Sequence, residues 1–282
     1  MIDYLKASYP ITFLCQTLDC ARSSYYYQAQ SNADDQRLLE AIEQVLVRWP
    51  FYGYRRVLAQ LQRQGWPVGE SRVRRLLKQL GHSRNVGRVR VQTTNSAHSG
   101  RRFPNRLKGV RLTRPDQAWV ADLTFIRLGH RFIYLAVILD AYTRAVRGWA
   151  VSRRLTADTL TVPALEMALQ TGVPTIFHSD QGSQYAADGH LDPLLALEVI
   201  ISMTDKGQPA QNGVVERFIR TLKEEHIDYT EYTDFADAVR QLQHWLEVEY
   251  MTERIHSALD YATPTEFEIA ARACRPPSLI PC

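Results

Sequence analysis

Cysteine is scarce in this 282-residue chain. Positions 15, 20, 274 and 282 form no CxxC pair and have no histidines at finger spacing, which argues against a structural zinc site and for free thiols in a reducing compartment. No apolar run reaches the roughly 18 residues of a membrane span. The N-terminal MIDYLKASYP lacks the regions of a signal peptide, so the expected location is the cytoplasm. GxGxxG and GxxxxGK[ST] are both missing, and nothing points to a nucleotide cofactor. No heptad is sustained, so no coiled-coil seam is visible. With 45% hydrophobic residues, the chain is long enough for two ordinary globular domains.

The net charge of +4 conceals an uneven distribution. Between Arg55 and Lys108 fourteen Lys or Arg face one acid, Glu70, so this block carries +13 and the remainder −9. Such a block suits phosphate contacts and salt-sensitive binding to nucleic acid. Residues 1–33 hold a short apolar segment and CARSSYYYQ, read as two small helices with Ser23 near a cap. From Asp34, DDQRLLEAIEQVLVRW has apolar residues at 38, 39, 42, 45, 46 and 49, a helical spacing ended by Pro50 and Gly53. YRRVLAQLQRQG is a second helix, and SRVRRLLKQLG a third with Ser71 as N-cap and Gly81 as stop. In the third, Val73, Leu76, Leu77 and Leu80 make one stripe, while Arg72, Arg74, Arg75 and Lys78 cover most of the rest. Residues 34–84 therefore read as a helix-turn-helix laid on DNA. Residues 85–114, polar and Arg-rich, read as a linker that tracks the DNA backbone.

From residue 115 the texture changes, and 115–270 read as one domain before a tail at 271–282. QAWVADLTFIRL, FIYLAVILD and AVRGWAV are strands, the first two joined by a hairpin at LGH. TADTLTVPALEMALQTG is helical, with Pro163 marking a kink or a late start. The strand VPTIFHSD, a helix around GHLDPLLALE, the strand VIISM and the helix VVERFIRTLKEE follow. An antiparallel meander followed by crossover units predicts an α/β mixed sheet of the ribonuclease H-like class.

Three carboxylates fall at informative places. On WVADLTFI, Trp119, Ala121, Leu123 and Phe125 share one face, and Val120, Asp122, Thr124 and Ile126 the other. A mid-strand acid such as Asp122 is costly unless it is paired or holds a metal. Asp180 ends a later strand in HSDQGSQY and lies beside Asp122 if the two strands are neighbours. Glu216 clusters with Arg220 and Lys223 at the edge of the apolar stripe Val215, Phe218, Ile219 and Leu222. The loop before it has Gly207, Pro209 and Gly213, a composition suited to movement. Acids from separate elements suit two hard divalent cations, Mg²⁺ or Mn²⁺, about 3.5–4 Å apart over a scissile phosphate.

Thirty-five residues separate Asp180 from Glu216, and Lys223 follows one heptad later. This pattern resembles the acidic triad of DDE transposases and retroviral integrases. WVADLTFI, YLAVILDAYTRAVRGW, FHSDQGSQY, SMTDKGQPAQNGVVERFIRTLKEE and EYMTERIHSALDYATPTEF resemble, in order, the second-frame protein (OrfB) of IS-three-type bacterial insertion sequences. The resemblance covers about residues 35–270 and includes the basic helical region. It implies a metal-dependent recombinase with Asp122, Asp180 and Glu216 as ligands and Lys223 on DNA near the reacting end. His178 and Asn212 lie in matched words as candidates to line the site, and Asp140 matches a family position read as structural. The implied partners are the double-stranded inverted-repeat ends and target DNA, further copies of the chain, and an upstream-frame product, OrfA, supplied by frameshift fusion; the implied location is the bacterial nucleoid. Two motifs depart from the family: Gln211 and Gly213 flank Asn212 where Asp and Ala are usual, and Met251 replaces Asn. All three acids are retained, which disfavours an inactive DNA-binding regulator.

Overall fold

The structure, a computed structural model, describes residues 2–26, 33–82, 101–205 and 208–273, and the chain divides into two compact units, Met1–Ser83 and Arg84–Cys282. The expected linker's residues 85–100, Gly207, Cys274 and Cys282 lie outside the described residues.

In the first unit, α1 (Ile2–Leu5), α2 (Ile11–Thr17) and α3 (Arg22–Tyr26) replace the two helices expected from the sequence. Ser23 is the second residue of α3 and not its cap. In α4 (Ala33–Arg48), Leu38, Ala41, Ile42 and Val45 are buried, as is Trp49 just beyond it. They pack with Val57 and Leu61 of α5 (Tyr54–Arg63) and Val73, Leu76 and Leu77 of α6 (Glu70–Gln79) in a three-helix unit. Gly69, extended at φ −99° and ψ 163°, caps α6 in place of Ser71. The helix starts two residues earlier than expected, placing Glu70 in the first turn, where a negative charge complements the exposed N–H groups. At the other end, Gly81 takes φ +68°, and the amides of Gly81 and His82 donate to the carbonyls of Lys78 and Leu77. That left-handed residue with its paired bonds closes the helix.

The second unit is a five-stranded sheet in the order β3-β2-β1-β4-β5. The strands are β1 (Ala118–Leu128), β2 (Arg131–Asp140), β3 (Val146–Ser152), β4 (Ile176–Ser179) and β5 (Ile200–Met203). The first three form an antiparallel meander, whereas β4 pairs in parallel with both β1 and β5. Alternation along β1 sorts its side chains as the sequence predicts. Trp119 and Ala121 join Leu160, Ala164 and Leu165, around the start of α7 (Val162–Leu169), and Leu191 and Leu194 of α8 (Asp188–Ala196) on one face. Val120 and Ile126 join Val215, Phe218 and Leu222 of α9 (Gly213–Glu225) and Leu242 of α10 (Phe235–His244) on the other. Pro163 is the second residue of α7, after a π-helical turn Ala157–Thr161, so it marks a late start. A π-helical segment, Trp245–Glu253, and α11 (Pro264–Ala273) complete the described fold.

Two buried ionic clusters tie the layers together. Asp140 is fully buried and accepts from the amides of Asp116, Tyr142 and Thr143 and from Arg147 Nη2 at 2.7–3.0 Å. Arg147 also meets Asp116 at 3.0 Å and Glu268 of α11 at 2.8 Å, and Arg272 closes onto both acids. The structural reading of Asp140 agrees with these bonds. Arg254 grips both carboxylate oxygens of Glu225 at 2.6 and 2.7 Å, anchoring the C-terminal end of α9.

Residues 101–114 do not trail as a linker. Arg101 reaches Asp188 and Asp192 of α8, Phe103 packs with the α7–α8 core, and Leu107 and Leu112 pack with the α9 core. This strap passes beside the edge strand β5, where the Arg106 amide donates to Ser202 Oγ at 2.8 Å. Covering an edge removes a template for unwanted strand pairing.

The closest helix-to-sheet approach tested by a glycine is at Gly148 of β3, where an added Cβ would collide with the Ala164 carbonyl and come within 2.7 Å of the Ala168 nitrogen. Both obstacles are backbone atoms and cannot rotate away. Gly148→Ala is therefore expected to cost about 1–3 kcal/mol, read as a lower urea midpoint with an unchanged slope.

Candidate active site

The last hydrogen-bonded pair between β1 and β4 is Val120 with His178. Two residues further along β1 lies Asp122, and two residues after His178 comes Asp180, close enough for its charge to bear on Asp122. Asp180 stands just beyond the end of β4, where its Oδ1 accepts from the Gly182 amide at 2.9 Å. A Cβ at position 182 would lie 2.9 Å from that same oxygen, so a larger residue there would push on the Asp180 carboxylate. Asp122 Oδ1 accepts from the Leu123 amide at 2.8 Å.

The field around Asp122 is unusual for an aspartate. Burial, then repulsion from Asp180, raises its pKa to about 7; the Leu123 amide opposes the rise, Glu216 adds to it and Lys223 lowers it. Those influences place Asp180, Glu216 and Lys223 around one carboxylate. Glu216, in the first turn of α9, is itself raised by burial and lowered by Arg220 one turn on. Among the described residues, no three His, Cys, Asp or Glu side chains stand close enough to share one ion. Asp180 and Glu216 both act on Asp122, the second from the first turn of α9.

His178 and Asn212 have definite partners. Asn212 is buried and its Nδ2 donates to the Ala121 carbonyl at 3.0 Å, fastening the start of α9 to the residue before Asp122. His178 Nδ1 lies 2.8 Å from Ser202 Oγ, and burial lowers its pKa to about 4, partly offset by the Gln211 backbone. A histidine neutral at physiological pH is a poor proton acceptor here and a good strut. Tyr185 was not singled out from the sequence. Its hydroxyl is buried without a hydrogen bond, and burial with Asp122 and Asp180 nearby pushes its pKa up. The only hint in the sequence is its place in HSDQGSQY.

The basic candidates on α6 are less available than their number suggests. Arg72 and Arg75 both bind Asp35 of α4, at 2.7 and 2.6 Å. Arg74 reaches Glu70 at 3.3 Å and lies over the Tyr54 ring. Lys78, on the last turn, is exposed. Periodicity could not reveal the Asp35 clamp because it joins residues 37 and 40 apart in sequence.

A mixed sheet in this strand order, with Asp122 on β1 and Asp180 just past the end of β4, has the architecture of an integrase-type core. Residues 113–209 and 197–264 match the integrase core domain, and residues 33–91 an HTH-like domain. The chain is 34% identical, over 90% of its length and 97% of the other, to the uncharacterized 31 kDa protein of insertion element IS600 from Shigella sonnei. It is 31% identical to the transposase for insertion sequence element IS904 from Lactococcus lactis, covering 77% of this chain and 87% of that one. The catalytic core of BIV integrase aligns in three dimensions over 56% of this chain and 97% of its own, with 22% identity and a TM-score of 0.44. The chain belongs to the insertion-sequence transposases, proteins that carry out polynucleotidyl transfer on DNA.

The raised Asp122 pKa has a consequence for stability. The folded value of about 7 exceeds the ordinary 3.8, so the folded protein binds the extra proton between those limits. Without divalent cations, the contribution of this group is complete below about pH 4 and is lost as pH rises through about 7. Urea midpoints measured across that window should fall more steeply for the wild type than for Asp122→Asn; parallel curves would show that Asp122 carries no such shift.

Proposed function

We propose that this transposase cleaves DNA at the ends of its insertion sequence and joins the freed strand to another phosphodiester, using Asp122, Asp180 and Glu216. The observation that carries the reading is Asp122 on β1 with Asp180 just past the end of the neighbouring β4, burial first and the Asp180 charge second raising the Asp122 pKa to about 7. Such a pair is costly without a cation, and an all-oxygen donor set suits a hard divalent ion. Asp122 and Asp180, with Glu216 from α9, would hold Mg²⁺ or Mn²⁺, in the expected arrangement two ions. When bound, the metal supplies neutralisation of the phosphate charge and activation of the attacking oxygen.

In the first step a water oxygen bonds to phosphorus, the bond to the 3′-oxygen breaks, and that oxygen leaves as a hydroxyl after taking a proton. In the second, the same hydroxyl attacks another phosphodiester, loses its proton and expels a second 3′-oxygen. Lys223, already within the field of Asp122, faces the phosphate that must enter there, and Arg220 accompanies Glu216. Arg72, Arg74, Arg75 and Lys78 would hold flanking DNA, Arg72 and Arg75 exchanging the Asp35 carboxylate for phosphate as they do so. Several copies acting together on two ends, with or without fusion to an upstream-frame OrfA product, complete the reading, in the cytoplasm at the nucleoid.

A plasmid bearing the flanking inverted repeats, supplied with the chain alone and with its upstream-frame fusion, tests this. End-joined junctions are expected from wild type, with Glu216→Gln, Asp122→Asn and Asp180→Asn each reducing them roughly a thousandfold or more. Junctions persisting in the Glu216→Gln protein would remove that residue from the catalytic set.

A further inference from the structure

The basic strap at residues 101–112 meets the catalytic groups through two separate hydrogen-bonded routes. In the first, the Arg106 amide donates to Ser202 Oγ, and that oxygen lies 2.8 Å from His178 Nδ1. Ser202 and His178 are both fully buried and sit side by side on β5 and β4. His178 lies on β4, two residues before Asp180, which stands just past the end of that strand. In the second, Asn105 Nδ2 donates to Gln211 Oε1 at 2.8 Å. Gln211 also accepts from the Asp205 amide at 2.7 Å and donates to the Asp205 carboxylate at 2.8 Å. Its neighbour Asn212 is the residue bonded to the Ala121 carbonyl, and Glu216 follows one helical turn later.

The strap is held as well as holding. Asn105 Oδ1 accepts from the amides of Leu107 and Lys108 at 3.0 and 3.1 Å, which shapes the turn that aims its Nδ2 at Gln211. Meanwhile the side chains of Arg106 and Lys108 are exposed. A residue whose amide is fixed to Ser202 therefore presents its guanidinium to solvent, where a DNA phosphate can engage it.

We infer that Asn105 and Gln211 are positioning residues for the transposition reaction: through them the strap sets the start of α9, and so Glu216, relative to Asp122 and Asp180. A carboxylate at position 211 would accept from Asn105 but could not also donate to Asp205. In this chain the amide serves both neighbours at once. The inference rests on the proposed triad.

The test uses the full chain with a duplex carrying the flanking inverted repeats and Mg²⁺. Asn105→Ser keeps a hydroxyl able to accept from Leu107 and Lys108, adds no charge and is too short to reach Gln211; Gln211→Ala removes the other partner. Each is expected to lower kcat for strand joining about tenfold, with KM for DNA and Tm within error of wild type, and Asn105→Ser/Gln211→Ala should be no slower than Gln211→Ala alone. Additive losses, rates within twofold of wild type, or losses that follow KM or Tm would overturn the positioning role. Glu216→Gln, run alongside, separates the cases. If it stays active, the triad reading fails and takes the inference with it; if it is inactive while both single variants match wild type, only the inference fails.

Discussion

Parallel hydrogen bonding between β1 and β4 sets Val120 beside His178, and much of the catalytic unit follows from that register. Two residues onward along β1 comes Asp122, and just past the end of β4 comes Asp180, whose charge bears on it. A slip of one residue in β1 would send Asp122 to the opposite face. The register is secured from both sides: Trp119 and Phe177 are buried against α7 and α8, and Val120 against α9. Apolar packing thus determines the separation of groups that repel each other.

Charge is managed differently at the two ends of β1. Near its start, Asp116, Asp140, Arg147, Glu268 and Arg272 are mutually paired, and Asp140 accepts four hydrogen bonds while fully buried. That cluster satisfies its charges and joins the sheet to α11. Further along the strand, Asp122 has one amide donor and two acids in its surroundings, and its pKa is raised. Two aspartates on adjacent strands therefore differ: the charge of Asp140 is satisfied within the fold, and that of Asp122 is opposed by its surroundings.

Much of this was legible beforehand. The alternation of WVADLTFI assigned Asp122 to the face that α9 covers, and the stripe in VVERFIRTLKEE placed Glu216 at its edge. Local rules succeeded because period and burial coincide in these segments. They failed where a long-range partner decided the outcome. Gly69 displaced Ser71 as the cap of α6, and Asp35 occupied Arg72 and Arg75 that the charge pattern had offered wholly to DNA. The strap was misread for a related reason: its polar, aperiodic composition looks like a linker, yet Phe103, Leu107 and Leu112 are enough to dock it when a sheet edge is adjacent.

By itself the sequence determined the order of the five strands and of the helices between them, the face each apolar residue of β1 would seek, and the spacing of the three acids, because these depend on backbone period and residue type. Only the tertiary structure decided that the Asp180 charge bears on Asp122, that His178 is a neutral strut bonded to Ser202, and that Asn105 reaches Gln211 across 106 positions of chain. Those facts require strand register and close packing between distant segments, and hydrogen bonds of about 3 Å are set by the fold's coordinates and leave no periodic trace along the chain.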